Sequence, residues 1–148
     1  MDIIGIAAVT LDGFIARHSL EQVAWTKDLS LFKNQTRGHA VVMGFNTKKT
    51  LKNDLKGRQT ITVKRKDRPG EILKKINKKK CFIIGGGKTF SMFADHLTHL
   101  YITPHPFIFG KGIKLFETYK KEIKLKYERN VPVFPEKGIF QYQFKISH

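Results

Sequence analysis

Apolar residues fall in short runs separated by turn-forming residues, and helical spacing fills several of the intervals. Residues 3–9 are almost wholly apolar, with small side chains at Gly5, Ala7 and Ala8, the composition of a strand covered on both faces. Thr10-Leu11-Asp12-Gly13 is a turn signal, because Asp bonds its own backbone and Gly permits the reversal. Residues 17–24 show no period and read as a loop. Thr26 is placed to cap a helix running to about Arg37, with Asp28 in the first turn where a carboxylate suits the helix dipole. Trp25, Leu29, Phe32 and the stem of Lys33 are expected to face inward, and Gly38 stops the helix. A second buried strand over 40–43 ends at Gly44, and Asn46 or Thr47 is expected to cap a short helix after it.

Residues 55–58 read as a loop entering a strand at 59–63. Ile72, Leu73 and Ile76 have helical spacing over 71–77. The apolar strand at 81–84 runs straight into Gly85-Gly86-Gly87 and a helical segment carrying Phe90 and Phe93. A strand at 100–103 follows, with Pro104 and Pro106 expected to end regular structure. Segments 123–129 and 138–146 are expected to pair antiparallel, and Phe140, Tyr142, Phe144 and Ile146 alternate with polar residues as in a half-buried strand. This order predicts one domain over 1–148 in the α/β class: a three-layer αβα fold with a central mixed, mostly parallel sheet and an antiparallel C-terminal hairpin.

Composition narrows the function. The chain has 148 residues, 28 Lys+Arg against 12 Asp+Glu, and a single Cys. At that length about 68% of the unfolded chain's surface can be buried, so a core forms without staples. One Cys excludes an internal disulfide framework and a Cys-rich zinc site, and the six His show no ligand spacing, so no metal is expected. The start lacks the pattern of a secretory signal and no later run approaches a membrane span, which reads as a cytoplasmic protein, expected to be a monomer. The net charge of +16 suits nucleic acid or a small polyanion equally. Without zinc-finger spacing, an aromatic RNA-binding cluster or a basic zipper, a solvated Lys-rich surface is favoured over a nucleic-acid-binding protein, the alternative of a different class.

Three constellations carry chemistry. Gly85-Gly86-Gly87 lies between a buried strand and a helix, where residues without Cβ let a ligand approach the backbone and free N–H groups can meet phosphate; a plain tight turn is the alternative. The spacing is neither that of a dinucleotide fingerprint nor that of a P-loop. Asp28, among Trp25, Leu29 and Phe32, is a carboxylate that suffers desolvation unless a ligand donates to it; an ordinary first-turn acid is the alternative. Lys64-Arg65-Lys66 after a strand can clamp a phosphate, or is a solvated loop.

The ordered set 4–8, Asp12 to Ala16, Trp25 with Asp28, Leu29, Phe32 and Thr36, Val41-Val42-Met43-Gly44 with Thr47, Leu55 with Gly57-Arg58, Ile83-Ile84-Gly85-Gly86-Gly87 and Leu100-Tyr101-Ile102-Thr103 resembles dihydrofolate reductase over roughly residues 3–116. The resemblance implies that Asp28 is the active-site acid binding the pterin's amino group and ring nitrogen, and that Thr103 hydrogen-bonds it. It implies substrate contacts at Ala8, Leu29, Phe32, Leu55 and Ile84, and a grip by Arg58 on the substrate's glutamate carboxylate. Ala7, Ile15, Ala16, Gly44, Thr47, Gly85, Gly86, Gly87, Thr89 and Phe90 are implied as NADPH contacts, with Lys64, Arg65 and Lys88 at the 2′-phosphate. The Gly85–Gly86 bond is expected to be cis.

Departures from that pattern are specific. Phe45 stands where a basic residue is usual, Lys48 where an aromatic is usual, Trp25 is only three residues before Asp28, and the loop before it lacks a Pro-Trp element. Trp25-Thr26-Lys27-Asp28 and the stretch 110–116 are similar to the riboflavin-biosynthesis reductase domain. The resemblance therefore implies NADPH-dependent reduction of 7,8-dihydrofolate, with a riboflavin-pathway pyrimidine or another pterin as the alternative substrate.

Overall fold

The computed structural model describes residues 1–51 and 55–148. In chain order the elements are β1 (Asp2–Thr10), β2 (Phe14–Ala16), α1 (Leu29–Thr36), β3 (Ala40–Gly44), α2 (Phe45–Thr50), β4 (Gln59–Val63), α3 (Pro69–Lys74), β5 (Lys80–Gly85), α4 (Gly87–Phe93), β6 (His99–His105), β7 (Ile113–Lys114), β8 (Lys124–Phe134) and β9 (Ile139–Ser147). Seven strands form one sheet in the order β4-β3-β5-β1-β6-β9-β8, and β2 pairs with β7 outside it. The first five are parallel, while β9 runs antiparallel to both β6 and β8. The expected mixed, mostly parallel sheet with an antiparallel C-terminal hairpin is the one found.

Alternation sorts each central strand between two apolar layers, which is why these strands read as unbroken apolar runs. On one face Ala40, Val42, Cys81, Ile83 and Leu100 pack with Ile72 of α3 and with Phe90 and Phe93 of α4. On the other, Ile4, Ile6 and Phe82 pack with Phe32 of α1. Cys81 sits in the first layer as a free thiol, and burial pushes it up to about 12.

Several local expectations are corrected. Helix α1 begins at Leu29, with Asp28 at its N-cap position and no side-chain cap, so Thr26 does not start it. The Lys27 N–H is bonded instead to the His105 ring at 2.9 Å, a tertiary contact without a local signature. Leu29 remains 41% exposed and Trp25 is buried against His105, Phe107 and Phe109. Helix α2 starts directly after Gly44, which leaves Asn46 and Thr47 inside it, and α3 starts at Pro69, whose missing N–H costs nothing in a first turn. Pro104 lies within β6 opposite Val9; pairing with β9 extends only to Ile102, so no ladder bond is demanded of it on that side.

The C-terminal strand departs most. In β9, Gln141 and Gln143 are buried while Phe140, Tyr142 and Phe144 are half-buried. An amide network makes this tolerable. Gln141 and Gln35 of α1 exchange bonds of 2.7 and 3.0 Å, and Gln143 Nε2 donates to Gln141 Oε1 at 3.0 Å.

Phe93, at the end of α4, is fully buried against the sheet. Phe93→Ala is expected to cost about 3–5 kcal/mol of stability, read as a lower urea midpoint at unchanged slope.

Candidate active site

The parallel strands end together, and the crevice beyond their carboxyl ends is where open α/β sheets bind ligands. A cleft of about 1170 Å³ opens there, larger than most single-ligand pockets. Ala7 and Ala8 from the end of β1, Ile84 from β5, and Leu29 and Phe32 from α1 line it as expected. Ile15 and Ala16 from β2 close another side, below the 17–24 loop. That loop is braced by Arg17, whose backbone N–H and Nη1 both donate to Glu21 at 2.6 Å and whose guanidinium stacks 4.3 Å from the Phe109 ring centre.

Asp28 lies at the apolar end of the cleft. It keeps some exposure through the open mouth, but the protein packed around its carboxyl dominates, and desolvation raises its pKa from the ordinary value of 3.8. A positive charge on His105, the Asp28 backbone N–H and the Thr103 hydroxyl oppose that rise. The ring's hydrogen bonds argue against the first of these. His105 is fully buried, its Nε2 accepts the Lys27 N–H, and its Nδ1 lies 2.8 Å from the Thr103 carbonyl, which itself only accepts. Only a neutral ring with its proton on Nδ1 satisfies both contacts, so we take its influence on Asp28 as that of a dipole.

Thr103 does not line the cleft; it sits beneath Asp28, fully buried. Its hydroxyl is near enough to favour the ionised carboxyl, yet Oγ1 makes no formed hydrogen bond to any described atom. A buried hydroxyl left in that state costs free energy that closer approach of Asp28 would recover.

The opposite wall is built from absent side chains. The Gly85–Gly86 bond is cis, as expected, and turns the chain from β5 into α4. A Cβ at Gly44 would stand 2.6 Å from Thr89 Oγ1, and one at Gly87 would stand 2.5 Å from the Lys114 carbonyl. Thr47, Gly85, Gly86, Lys88, Thr89 and Phe90 all border the same wall, with Phe90 continuing into the core. Beyond it, Lys64 and Arg65 leave β4 on a turn fastened by the Lys64 N–H to Asp67 Oδ2 at 2.7 Å. One cleft thus brings together glycine backbone, three cations and a desolvated carboxyl.

Leu55 and Arg58 are not among the residues lining the cleft. Arg58 fastens α1 to the segment entering β4: Nε donates to Thr36 Oγ1 at 2.9 Å, Nη2 to the Lys33 carbonyl at 2.7 Å and Nη1 to the Lys56 carbonyl at 2.6 Å. A guanidinium has five N–H donors, so among the described residues one on each terminal nitrogen is without a partner. Thr50, Met92, Glu117 and the loop residues His18, Ser19 and Glu21 to Ala24 also line the cleft, and sequence reasoning did not pick them. Nothing local marks Glu117, which arrives because its N–H bonds the Gly87 carbonyl at 3.3 Å. Among the described residues no cluster of His, Cys, Asp or Glu has the makings of a metal site. No described helix is long and apolar enough to cross a membrane.

Comparison with known proteins adds a family. A sequence model described as dihydrofolate reductase matches residues 2–110. Dihydrofolate reductase from Enterococcus faecalis, solved with NADP(H) and RAB-propyl, has a similar fold: 21% identity, TM-score 0.77, covering 99% of this chain and 97% of that one. The Thermotoga maritima diaminohydroxyphosphoribosylaminopyrimidine deaminase/5-amino-6-(5-phosphoribosylamino)uracil reductase is similar at 19% identity and TM-score 0.76, over 99% of this chain and 56% of that one. Curated protein sequences yield no match.

A carboxyl with a raised native pKa weakens folding at every pH above that pKa, and the penalty disappears once the unfolded chain is protonated too. Asp28→Asn is therefore expected to raise the melting temperature at pH 7. The gain should shrink through the carboxylate range and vanish below it, as followed by thermal melts over a pH series.

Proposed function

The chain belongs to the dihydrofolate reductase family, and from that premise we propose that it reduces 7,8-dihydrofolate to 5,6,7,8-tetrahydrofolate with NADPH. The observation carrying this reading is the pairing, across one cleft, of the desolvated Asp28 with a wall of glycines too tight for Cβ atoms. The bound cofactor supplies a hydride. Every other contribution falls to residues of the chain.

Those residues suit such a cofactor. Ala7, Ile15, Ala16 and Gly85 to Gly87 leave room for a flat ring against the backbone, and Gly44, Thr47, Thr89 and Phe90 frame the diphosphate. Lys64, Arg65 and Lys88 are the cations available to a 2′-phosphate. This basic end stands in for the cation that Phe45, 66% exposed, does not supply.

Asp28 receives the amino and ring N–H groups of the pterin, replacing the water its carboxyl has lost, and its raised pKa keeps a proton within reach of the ring at a higher pH than an exposed acid would. Thr103 steadies the ionised form. Ala8, Leu29, Phe32 and Ile84 sandwich the ring in apolar contact, excluding water from the transfer. Leu55 and Arg58 meet the tail outside the cleft, the two free Arg58 N–H donors forming a fork for a carboxylate.

Arg58 also supports a second reading. With three donors already engaged, it serves α1 without any substrate, and a phosphoribosylated pyrimidine needs no partner for a glutamate. The two readings separate on NADPH oxidation measured with dihydrofolate and with a deaminated riboflavin precursor. Consumption that depends on dihydrofolate is expected; dependence on the precursor alone would transfer the site to the second substrate.

Two variants sharpen the assignment. Asp28→Asn is expected to cut kcat at pH 7 by about 10²-fold or more while NADPH binding stays near wild type, since Asp28 is assigned to the substrate and other residues to the cofactor. Arg58→Leu should raise KM for dihydrofolate by about 10²-fold and leave a pterin without glutamate little changed. Equal losses for both ligands would make Arg58 a fastening for α1 only.

A further inference from the structure

We propose that His105 is a positioning residue for Asp28, the neutral ring fastening the peptide before the acid to β6. The consequence for turnover rests on the reading of Asp28 given above; the fastening itself does not.

The argument begins with the strand. Thr103 and His105 are two apart on β6 and so share the face turned towards α1, and both are fully buried. The imidazole bridges two backbones. Nδ1–H donates to the Thr103 carbonyl at 2.8 Å, and Nε2 accepts the N–H of Lys27 at 2.9 Å. Asp28 is the next residue, and its own carbonyl accepts the first bond of α1 from the Phe32 N–H at 2.9 Å. The acid is thus held from both sides, by the helix after it and by His105 before it.

Nothing else described takes the Lys27 N–H. The residues around the ring leave it no latitude. Trp25 stands edge-on at 5.4 Å and 89°, itself wedged against Phe107 and Phe109. Thr10 of β1 lies in register beside His105, its hydroxyl committed to Asp12 Oδ1 at 2.6 Å. A second ring proton would set an N–H against the Lys27 N–H, donor facing donor, and would free the segment carrying Asp28. The ring therefore works as a fixed acceptor and moves no proton itself.

The device explains why α1 starts late. A helix begun at Thr26 would aim Asp28 by local geometry; here the aim comes from β6, the strand that also carries the Thr103 hydroxyl. Acid and hydroxyl are thus both tied to one strand.

Two measurements test this. In wild-type protein, 15N spectra of the His105 ring at neutral pH should show the proton on Nδ1 and Nε2 unprotonated; a proton on Nε2 overturns the proposal. Next, His105→Gln and His105→Asn are compared. The Gln amide reaches the Nε2 position and can accept from Lys27, whereas the Asn amide reaches only the Nδ1 position and can meet Thr103. In the ligand-free protein, 13C titration of the Asp28 carboxyl should keep its raised midpoint in His105→Gln and fall towards the ordinary carboxylate value in His105→Asn. With dihydrofolate and NADPH, His105→Asn should lose about tenfold to hundredfold in kcat, and His105→Gln much less, with NADPH affinity equal in both. Identical midpoints in the two variants overturn the proposal, even if both lose activity. Should the wild type not turn over dihydrofolate, the substrate reading fails, and the ring tautomer and carboxyl titration still decide the role of His105.

Discussion

Removing one carboxyl from water is the constraint around which this molecule is arranged. Burying a polar group is costly unless a partner is supplied, and the α1 face of β6 and β9 carries a run of such groups: Thr103, His105, Gln141 and Gln143. Two solutions stand side by side there. Gln141, Gln143 and Gln35 satisfy one another, and His105 is satisfied by two backbones. Asp28 and the Thr103 hydroxyl are not satisfied in the same way. Among the described residues Trp25 Nε1 and His39 Nδ1 are also buried without partners, but Thr103 Oγ1 is the one beside a desolvated carboxyl that borders the cleft, where a ligand could contribute the missing donors.

The far wall solves a different problem. There the demand is for space, and the chain meets it by omitting Cβ atoms at two close approaches: Gly44 against the Thr89 hydroxyl, and Gly87 against the β7 carbonyl of Lys114. These contacts bind β3, α4 and β7 into one rim, so the wall's shape is set by packing and does not depend on a ligand. The two walls also differ in mobility of purpose. One is rigid backbone, the other a side chain aimed by hydrogen bonds from a neighbouring strand. A cleft with both can hold a large flat cofactor by shape and select its second ligand by polarity.

Much of this was legible in the chain. Apolar runs at 3–9, 40–43 and 81–84 became the central strands because burial on both faces writes itself as unbroken hydrophobicity. Asp28, the glycine turn and Lys64-Arg65 were readable as chemistry because their residue types are costly or rare where they stand, and the cleft does collect them. What stayed hidden is whatever tertiary contact decides. The start of α1 depends on a histidine far along the chain. The alternation in β9 marked a half-buried strand, as found, but not the amide network with Gln35 that lets Gln141 and Gln143 lie buried on its other face. Pro104 is tolerated because of where β9 stops pairing. Arg58 was legible as an important arginine, and its bonds to the end of α1 were not.

Arg58 and the cleft lysines also clarify what the charge of +16 does. Charges separated by more than a Debye length, about 8 Å in physiological salt, are largely screened. The lysines at 74–75 and 78–80 run from the end of α3 to the start of β5, the end of the sheet opposite the carboxyl ends that border the cleft. They can raise the rate at which an anion arrives but cannot hold it there. Binding strength must come from the few cations at the cleft itself, Lys64, Arg65 and Lys88, and from whatever donors Arg58 retains at its edge. Affinity for a polyanion should therefore follow those positions and be nearly indifferent to the distant lysines, while solubility and encounter follow the total. The same division explains how so basic a surface coexists with a cleft that holds a desolvated acid: the field of the whole chain and the polarity around one carboxyl act over different distances.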